Sequence, residues 1–300
     1  MMDGRTAPGL GLARSVAALA AFGLIALVLP LPLHAQLDDP YTITTMDELN
    51  GGLKALWMDV QVEVEQIEFL SVDKGRSSIR VHRQPTRWVP YDLRRNADGS
   101  RLTYLVDLDD MAGSGLETGA AEAAIDRAMA GWTGEKCFAK RVEVVKRPYG
   151  GADPDLFDSI FGFGGLGDYR LADVVHAGWL PPSFFEAVGG PGAGETVVAF
   201  SVTFVFLGED GEPTDVDRDG QLDTATSEIY YNSGFSWLLE KDGGIDLESV
   251  ALHELGHSLG IGHIEDPIKA VMNPVYTGLH RSLDPVDGAM LCSVWSSWPK

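Results

Sequence analysis

His253-Glu254-Leu255-Gly256-His257-Ser258-Leu259-Gly260-Ile261-Gly262-His263 is the stretch on which the reading of this 300-residue chain turns. Asp246 is placed to cap a helix beginning near Leu247, and Glu248 suits the positively polarised first turn. Leu252, Leu255 and Leu259 recur at i, i+3 and i+7, with Ala251 beside them, and give that helix an apolar face. His253 and His257 are four residues apart, so both imidazoles lie on one side of the helix. That spacing suits two ligands of one tetrahedral zinc ion. Gly260 permits a left-handed backbone and lets the chain leave the helix, and the turn brings His263 round as a third ligand. Three neutral imidazoles leave a fourth position for water, and Glu254 is placed to act on that zinc-bound water as general base. A chance His-Glu-x-x-His on a surface helix is the bland alternative. Gly260 and His263 at set spacings argue against it, as do three of the chain's seven histidines falling in this window.

Composition narrows the field further. The chain is 45% hydrophobic and 22% charged, which is globular. Acidic residues outnumber basic ones 44 to 23, a net charge of −21. Nucleic-acid binding needs clustered cations, so that class is excluded, and attraction to an anionic membrane is disfavoured. At the N-terminus, Arg5 and Arg14 precede an apolar run from Val16 to Leu29, and Ala35 precedes Gln36. This reads as a signal peptide over 1–35, because the run is shorter than the ~20 residues that span a bilayer. A secreted chain follows, with periplasmic residence as the variant of that reading and no stable membrane insertion after cleavage. The even cysteine count, Cys137 and Cys292, suggests one disulfide in an exported protein, with two buried free thiols as the alternative.

Strand-like alternation marks Val60, Val62, Val64, Ile67 and Phe69, then 102–106, 141–145, 172–175, 197–207 and 229–231. Thr118 to Trp132 has helical spacing of Ala121, Ala124, Ile125, Met129 and Trp132. Residues 148–169 read as loop, and Gly162, Gly164 and Gly167 within it match a dinucleotide fingerprint without the strand and helix that motif requires. Strands early and helices late predict an α+β class. Asp215, Asp217, Asp219, Gln221 and Asp223 follow the spacing of a calcium loop around Gly220, although position twelve is Thr226 rather than Glu. A structural calcium ion is expected there, against a plain solvated acidic turn.

The zinc segment resembles the signature of metzincin metallopeptidases, and Ala270-Val271-Met272-Asn273-Pro274-Val275-Tyr276 resembles their methionine turn. The pattern is most similar to the matrixins, the matrix metalloproteinase family, with Ile264 where matrixins usually carry Ser or Thr. The likeness extends over roughly 86–300. It implies a metzincin-like zincin fold: a mixed twisted β-sheet, a long active-site helix, the methionine turn and a C-terminal helix. It implies the roles of Glu254 as catalytic base and of Met272, Gly260, Pro274 and Tyr276 as supporting residues, with Pro274, Val275 and Tyr276 lining the pocket after the scissile bond. It also implies that 197–206 contains the edge strand that receives substrate by main-chain pairing. Cys137 after the first long helix suits a disulfide to Cys292 in the last.

Departures from the matrixin pattern are specific. Ser227 stands where a histidine of the structural zinc is usual, and His176 alone lies in the middle region, so no structural zinc is expected. The Pro-Arg-Cys-Gly latency motif is missing, which leaves 36–85 readable as a pro-segment or as an extra strand pair. The expected organisation is a leader over 1–35, an N-terminal segment over 36–85 and a catalytic domain over 86–300. The expected function is a secreted, monomeric zinc endopeptidase acting on proteins or peptides. The alternatives are a narrower, aminopeptidase-like peptidase and a calcium-stabilised extracellular binding or adhesion module with little or no turnover.

Overall fold

The computed structural model describes residues 45–57, 61–73, 80–82, 84–151, 153–165, 169–239 and 243–298. The leader read at 1–35, Val60 and Gly167 lie outside the described residues. In chain order the elements are α1 (Met46–Leu56), β1 (Val62–Ser71), β2 (Arg80–His82), β3 (Thr86–Arg87), β4 (Leu102–Val106), α2 (Thr118–Thr133), α3 (Lys136–Ala139), β5 (Val144–Lys146), β6 (Val174–Leu180), α4 (Pro182–Gly189), α5 (Ala193–Thr196), β7 (Val197–Phe206), β8 (Leu222–Asn232), β9 (Trp237–Leu238), β10 (Ile245–Asp246), α6 (Leu247–Ser258) and α7 (Pro285–Trp295). The sheet runs β2-β1-β7-β8-β6-β4-β5, with β3 beside β8. Strands β5, β4, β6 and β8 are mutually parallel, whereas β7 is antiparallel to both β8 and β1. This is a mixed sheet in an α+β metzincin-type fold.

Two apolar layers cover the sheet. On one face, Ala121, Ile125 and Trp132 of α2 meet Leu252 and Leu255 of α6 and Leu291 of α7. On the other, Leu49 and Leu53 of α1 and Phe184 and Phe185 of α4 pack on Val62, Val64, Ile67 and Phe69 of β1 and on Phe200 of β7. Helix α3 is tied to α7 by the Cys137–Cys292 disulfide, with Cα atoms 5.5 Å apart.

The structure corrects two expectations. Strand β7 is not an edge: β1 pairs along its outer side from Val62↔Phe206 to Ser71↔Val197. The N-terminal segment also holds a helix, α1, which strand-like alternation in 60–69 does not suggest. Thr45 caps it in a reciprocal box with Glu48, whose side chain accepts from the Thr45 backbone N–H at 2.8 Å. No described helix is long and apolar enough to cross a membrane.

Candidate metal and active site

Helix α6 is buried over its whole length, so its polar side chains must be held by protein groups. Asp246 caps it as the sequence predicts, accepting from the Ser249 N–H at 2.9 Å. Three tryptophans grip its carbonyls: Trp132 Nε1 donates to Leu252 O at 2.6 Å, Trp88 Nε1 to Ser258 O at 2.8 Å and Trp295 Nε1 to Leu259 O at 2.8 Å. The helix ends in a Schellman turn. Gly260 adopts φ +84°, its N–H donates to His257 O at 2.8 Å, and the Ile261 N–H donates to Gly256 O at 2.9 Å. The turn swings His263 back over the helix.

The three imidazoles then converge. His257 Nε2 lies 3.1 Å from His253 Nε2 and 3.1 Å from His263 Nε2. The Nδ1 atoms face outward: His253 Nδ1 is 2.7 Å from Val271 O and His257 Nδ1 is 2.8 Å from Ile261 O. A carbonyl only accepts, so each Nδ1 carries the proton and each of those Nε2 atoms presents a lone pair. Lone pairs 3.1 Å apart repel unless a cation sits between them. Donors at ~2.0–2.1 Å around a tetrahedral ion are about 3.3 Å from one another, so this donor set fits zinc. The third imidazole, His263, has Nδ1 3.4 Å from Glu68 Oε2 on β1.

Glu254 is fully buried beside the first ligand. Burial and then the charge of Glu68 raise its carboxyl well above the usual range, with Ser201 opposing. Burial pushes His253 down to about 4, against the Val271 carbonyl, which favours the neutral ligand form.

Beneath the triad lies the turn at 270–276. Met272 is fully buried against Gly256, where any Cβ would collide with its sulfur. The Ile264 N–H donates to Met272 O at 2.8 Å, which fastens the segment after His263 to the turn. The turn in turn hangs from Asp287 on α7. That buried carboxylate accepts from the N–H groups of Val271 at 2.9 Å, Met272 at 3.2 Å and Asp284 at 2.8 Å. Tyr276 holds the start of α6, its hydroxyl accepting from the Asp246 N–H at 2.8 Å. The Pro274 carbonyl accepts from the Ser71 N–H at 3.2 Å. Sequence reasoning missed the positioning roles of Asp287 and the three indoles and the presence of Glu68.

The expected calcium residues are only partly assembled. Asp215, Asp217 and Asp223 each offer an oxygen within 4.8 Å of the others. Asp219 instead pairs with Arg87 Nη1 at 2.5 Å, and its Oδ1 accepts from the Gln221 N–H. Asp223 also accepts from Arg94 Nη2 at 2.7 Å and from the Thr214 hydroxyl at 2.6 Å. His176, the lone middle-region histidine, is buried with Nδ1 2.7 Å from the Tyr231 hydroxyl. A separate buried carboxylate group lies under the 148–169 loop. There burial, then Asp153 and Asp158, push Asp155 up to about 12. Burial and Glu228 push Asp158 to about 8, and burial pushes Glu228 to about 7.

The matrixin family model matches residues 206–291, from the end of β7 through α6 and the methionine turn into α7. The chain is 37% identical over 102 residues to the 72 kDa type IV collagenase of Gallus gallus, which covers 33% of this chain and 15% of that protein. It is 42% identical over 59 residues to karilysin of Tannerella forsythia, covering 20% of this chain and 12% of that protein. It is 42% identical over 53 residues to matrilysin of Rattus norvegicus, covering 18% of this chain and 20% of that protein. The matched segments thus span a fifth or less of these relatives. Over residues 206–291, where the histidine triad, Glu254 and the methionine turn all lie, the chain is similar to the matrixins.

Proposed function

We propose that this chain is a secreted zinc-dependent endopeptidase that hydrolyses peptide bonds within proteins or peptides. The observation that carries this reading is the convergence of three Nε2 atoms, with His253 and His257 anchored through Nδ1, beside the buried carboxylate of Glu254. Zinc held by His253, His257 and His263 would polarise the substrate carbonyl and acidify a water. Glu254 takes the proton from the attacking water and later delivers it to the leaving amine. Pro274, Val275 and Tyr276 wall the pocket for the residue after the scissile bond, and an extended substrate would align along β7 only in the place that β1 takes in the structure. The 86–300 region carries this machinery, with 36–85 as a preceding segment. A calcium ion at Asp215, Asp217 and Asp223, with the Gln221 carbonyl, would stiffen the turn entering β8. Asp219, also expected at this loop, pairs with Arg87 beside it.

The test is zinc content together with cleavage of internally quenched peptides with blocked ends. About one zinc per chain is expected in the wild type and in Glu254→Ala, with cleavage confined to chains that keep Glu254. Absence of zinc, or cleavage unchanged by Glu254→Ala, refutes the reading. Zinc with no turnover in any variant favours the adhesion-module alternative, and strict dependence on a free amino end favours an aminopeptidase.

A further inference from the structure

The groove beside β7, where the peptidase reading seats a substrate, is filled by the chain itself. Strand β1 runs antiparallel to β7, with Glu68 opposite Ser201, Phe69 opposite Phe200 and Leu70 opposite Ala199. Its end is clasped from both sides. The Ser71 N–H donates to Pro274 O at 3.2 Å, and Ser71 O accepts from the Tyr276 N–H at 2.9 Å. Towards β7, the Val72 N–H donates to Thr196 O at 2.9 Å, and the Ser71 hydroxyl donates to the same oxygen at 2.8 Å. Leu70 is 2% exposed and lines a pocket with His253, Val271 and Tyr276. Glu68 reaches to 3.4 Å from His263 Nδ1 and lines, with Gln66 and His257, the cleft above the triad. A segment that ladders onto β7, bonds the wall segment through its main chain and puts one aliphatic side chain into the pocket beside the first ligand occupies the place of an extended peptide.

We infer that Glu68–Val72 is an internal blocking strand, bound in the peptide groove with Leu70 as its pocket residue, which must be displaced before another chain can enter. The inference rests on the peptidase reading for the meaning of the groove. The block itself is a matter of occupancy and is testable without turnover. It needs no cysteine ligand, in keeping with the missing Pro-Arg-Cys-Gly motif. The contacts it makes are also local. Glu68, Leu70, Ser71 and Val72 make the groove contacts, while the strand's hold on the fold lies in Val62, Val64, Ile67 and Phe69 on the other face.

Two variants of the full chain loosen the clasp. Leu70→Asp places a charge in an apolar pocket, and Ser71→Pro removes the N–H donated to Pro274. Leu70→Ile keeps pocket filling and serves as the control. Zinc content and Tm are measured first, then cleavage of a quenched peptide. In a Glu254→Ala background, binding of a fluorescent peptide with the sequence of residues 66–72 is then followed by anisotropy. The expected result is at least a tenfold rise in kcat/KM for Leu70→Asp or Ser71→Pro, none for Leu70→Ile, and at least tenfold tighter peptide binding in the loosened variants than with β1 intact. Equal turnover and equal peptide binding in folded wild type and variants would overturn the inference. If no zinc-loaded chain cleaves anything, the peptidase reading fails, and peptide binding alone decides whether the groove is blocked. If neither loosened variant folds, the end of β1 is integral to the domain and the inference is wrong.

Discussion

Replacing Asp287 by Ala tests whether the metal site is held together from α7. The carboxylate is fully buried and accepts from the backbone N–H groups of Val271 and Met272, themselves 6% and 0% exposed. A hydrogen bond to a charged acceptor contributes about 1.5–3 kcal/mol, and a buried donor left without an acceptor forfeits that in full. Two such donors set the loss at about 3–6 kcal/mol, a large share of the 5–15 kcal/mol typical of a domain. The effect does not end there. Val271 O is the acceptor that fixes His253 Nδ1, so loosening the turn frees the first ligand to rotate. Loss of such an outer partner lowers metal affinity by about 10–100-fold. Urea unfolding gives the first number, and zinc competition against a chromogenic chelator gives the second. Asp287→Asn is the comparison, since it keeps one acceptor oxygen while presenting an amide that faces an N–H. If Asp287→Ala loses several kcal/mol yet holds zinc within twofold of wild type, the line from Asp287 through Val271 to His253 carries no load and the reasoning is refuted.

Three other outcomes follow from the structure. Gly256→Ala puts a Cβ into the sulfur of Met272 and 2.8 Å from Trp132 Cζ2; overpacking of this kind costs about 1–3 kcal/mol, and an unchanged Tm would refute the tight seat of the methionine. Opening the Cys137–Cys292 link, which spans 155 residues, frees loop entropy worth about 5 kcal/mol on the chain model, so the double Cys→Ser variant should melt well below wild type. The carboxyls of Asp158 and Glu228 are raised to about 8 and about 7, by burial first, then by Glu228, Asp153 and Asp110 at Asp158 and by Asp153 at Glu228. Raised carboxyls bind protons more tightly in the folded state, so their contribution is complete below the ordinary carboxylate range and is lost as pH climbs through 7–8. With zinc in excess, the urea midpoint at pH 6 should therefore exceed that at pH 8, and a rise from 6 to 8 would contradict the assignment.

The convergence of the three histidines was legible because each of its signals is local. The Asp246 cap, the four-residue histidine spacing, the Gly260 turn and the return of His263 all depend on backbone within one helix and its exit. The fold class, the methionine turn and the helix ending at Trp295 were legible for the same reason or through the matrixin resemblance. The position of β1 was not. Alternation at Val62, Val64, Ile67 and Phe69 says that a strand exists, but its neighbour is chosen by contacts more than a hundred residues away. Helix α1 did carry a readable mark, the Thr45-to-Glu48 capping box, and α4 carried Pro182 with Phe184, Phe185 and Val188. Both were hidden by stretches whose composition reads as mixed or apolar. Asp287 was unreadable in its role, since a carboxylate in a first helical turn is more often solvated than a hook for a distant loop.

The two faces of β1 explain how one strand can both complete a sheet and obstruct a groove. Val62, Val64, Ile67 and Phe69 point away from the metal into the layer with α1 and α4, all at 2% exposure or less. Full burial of such side chains contributes about 1.5–3 kcal/mol each, so about 6–12 kcal/mol fastens the strand from the face remote from the site. Spontaneous departure of the whole strand is negligible on that scale. The part over the groove has a different hold: one aliphatic side chain and a few main-chain hydrogen bonds at Leu70–Val72. Loosening should therefore be confined to the end of the strand, with the core face left in place. Amide hydrogen exchange separates the two behaviours. In Leu70→Asp the N–H groups of Ser71 and Val72 should exchange much faster than in wild type, while those of residues 62–67 keep their protection. If the whole of 62–72 gains exchange together, the strand is one cooperative unit, and access to the groove requires its complete removal.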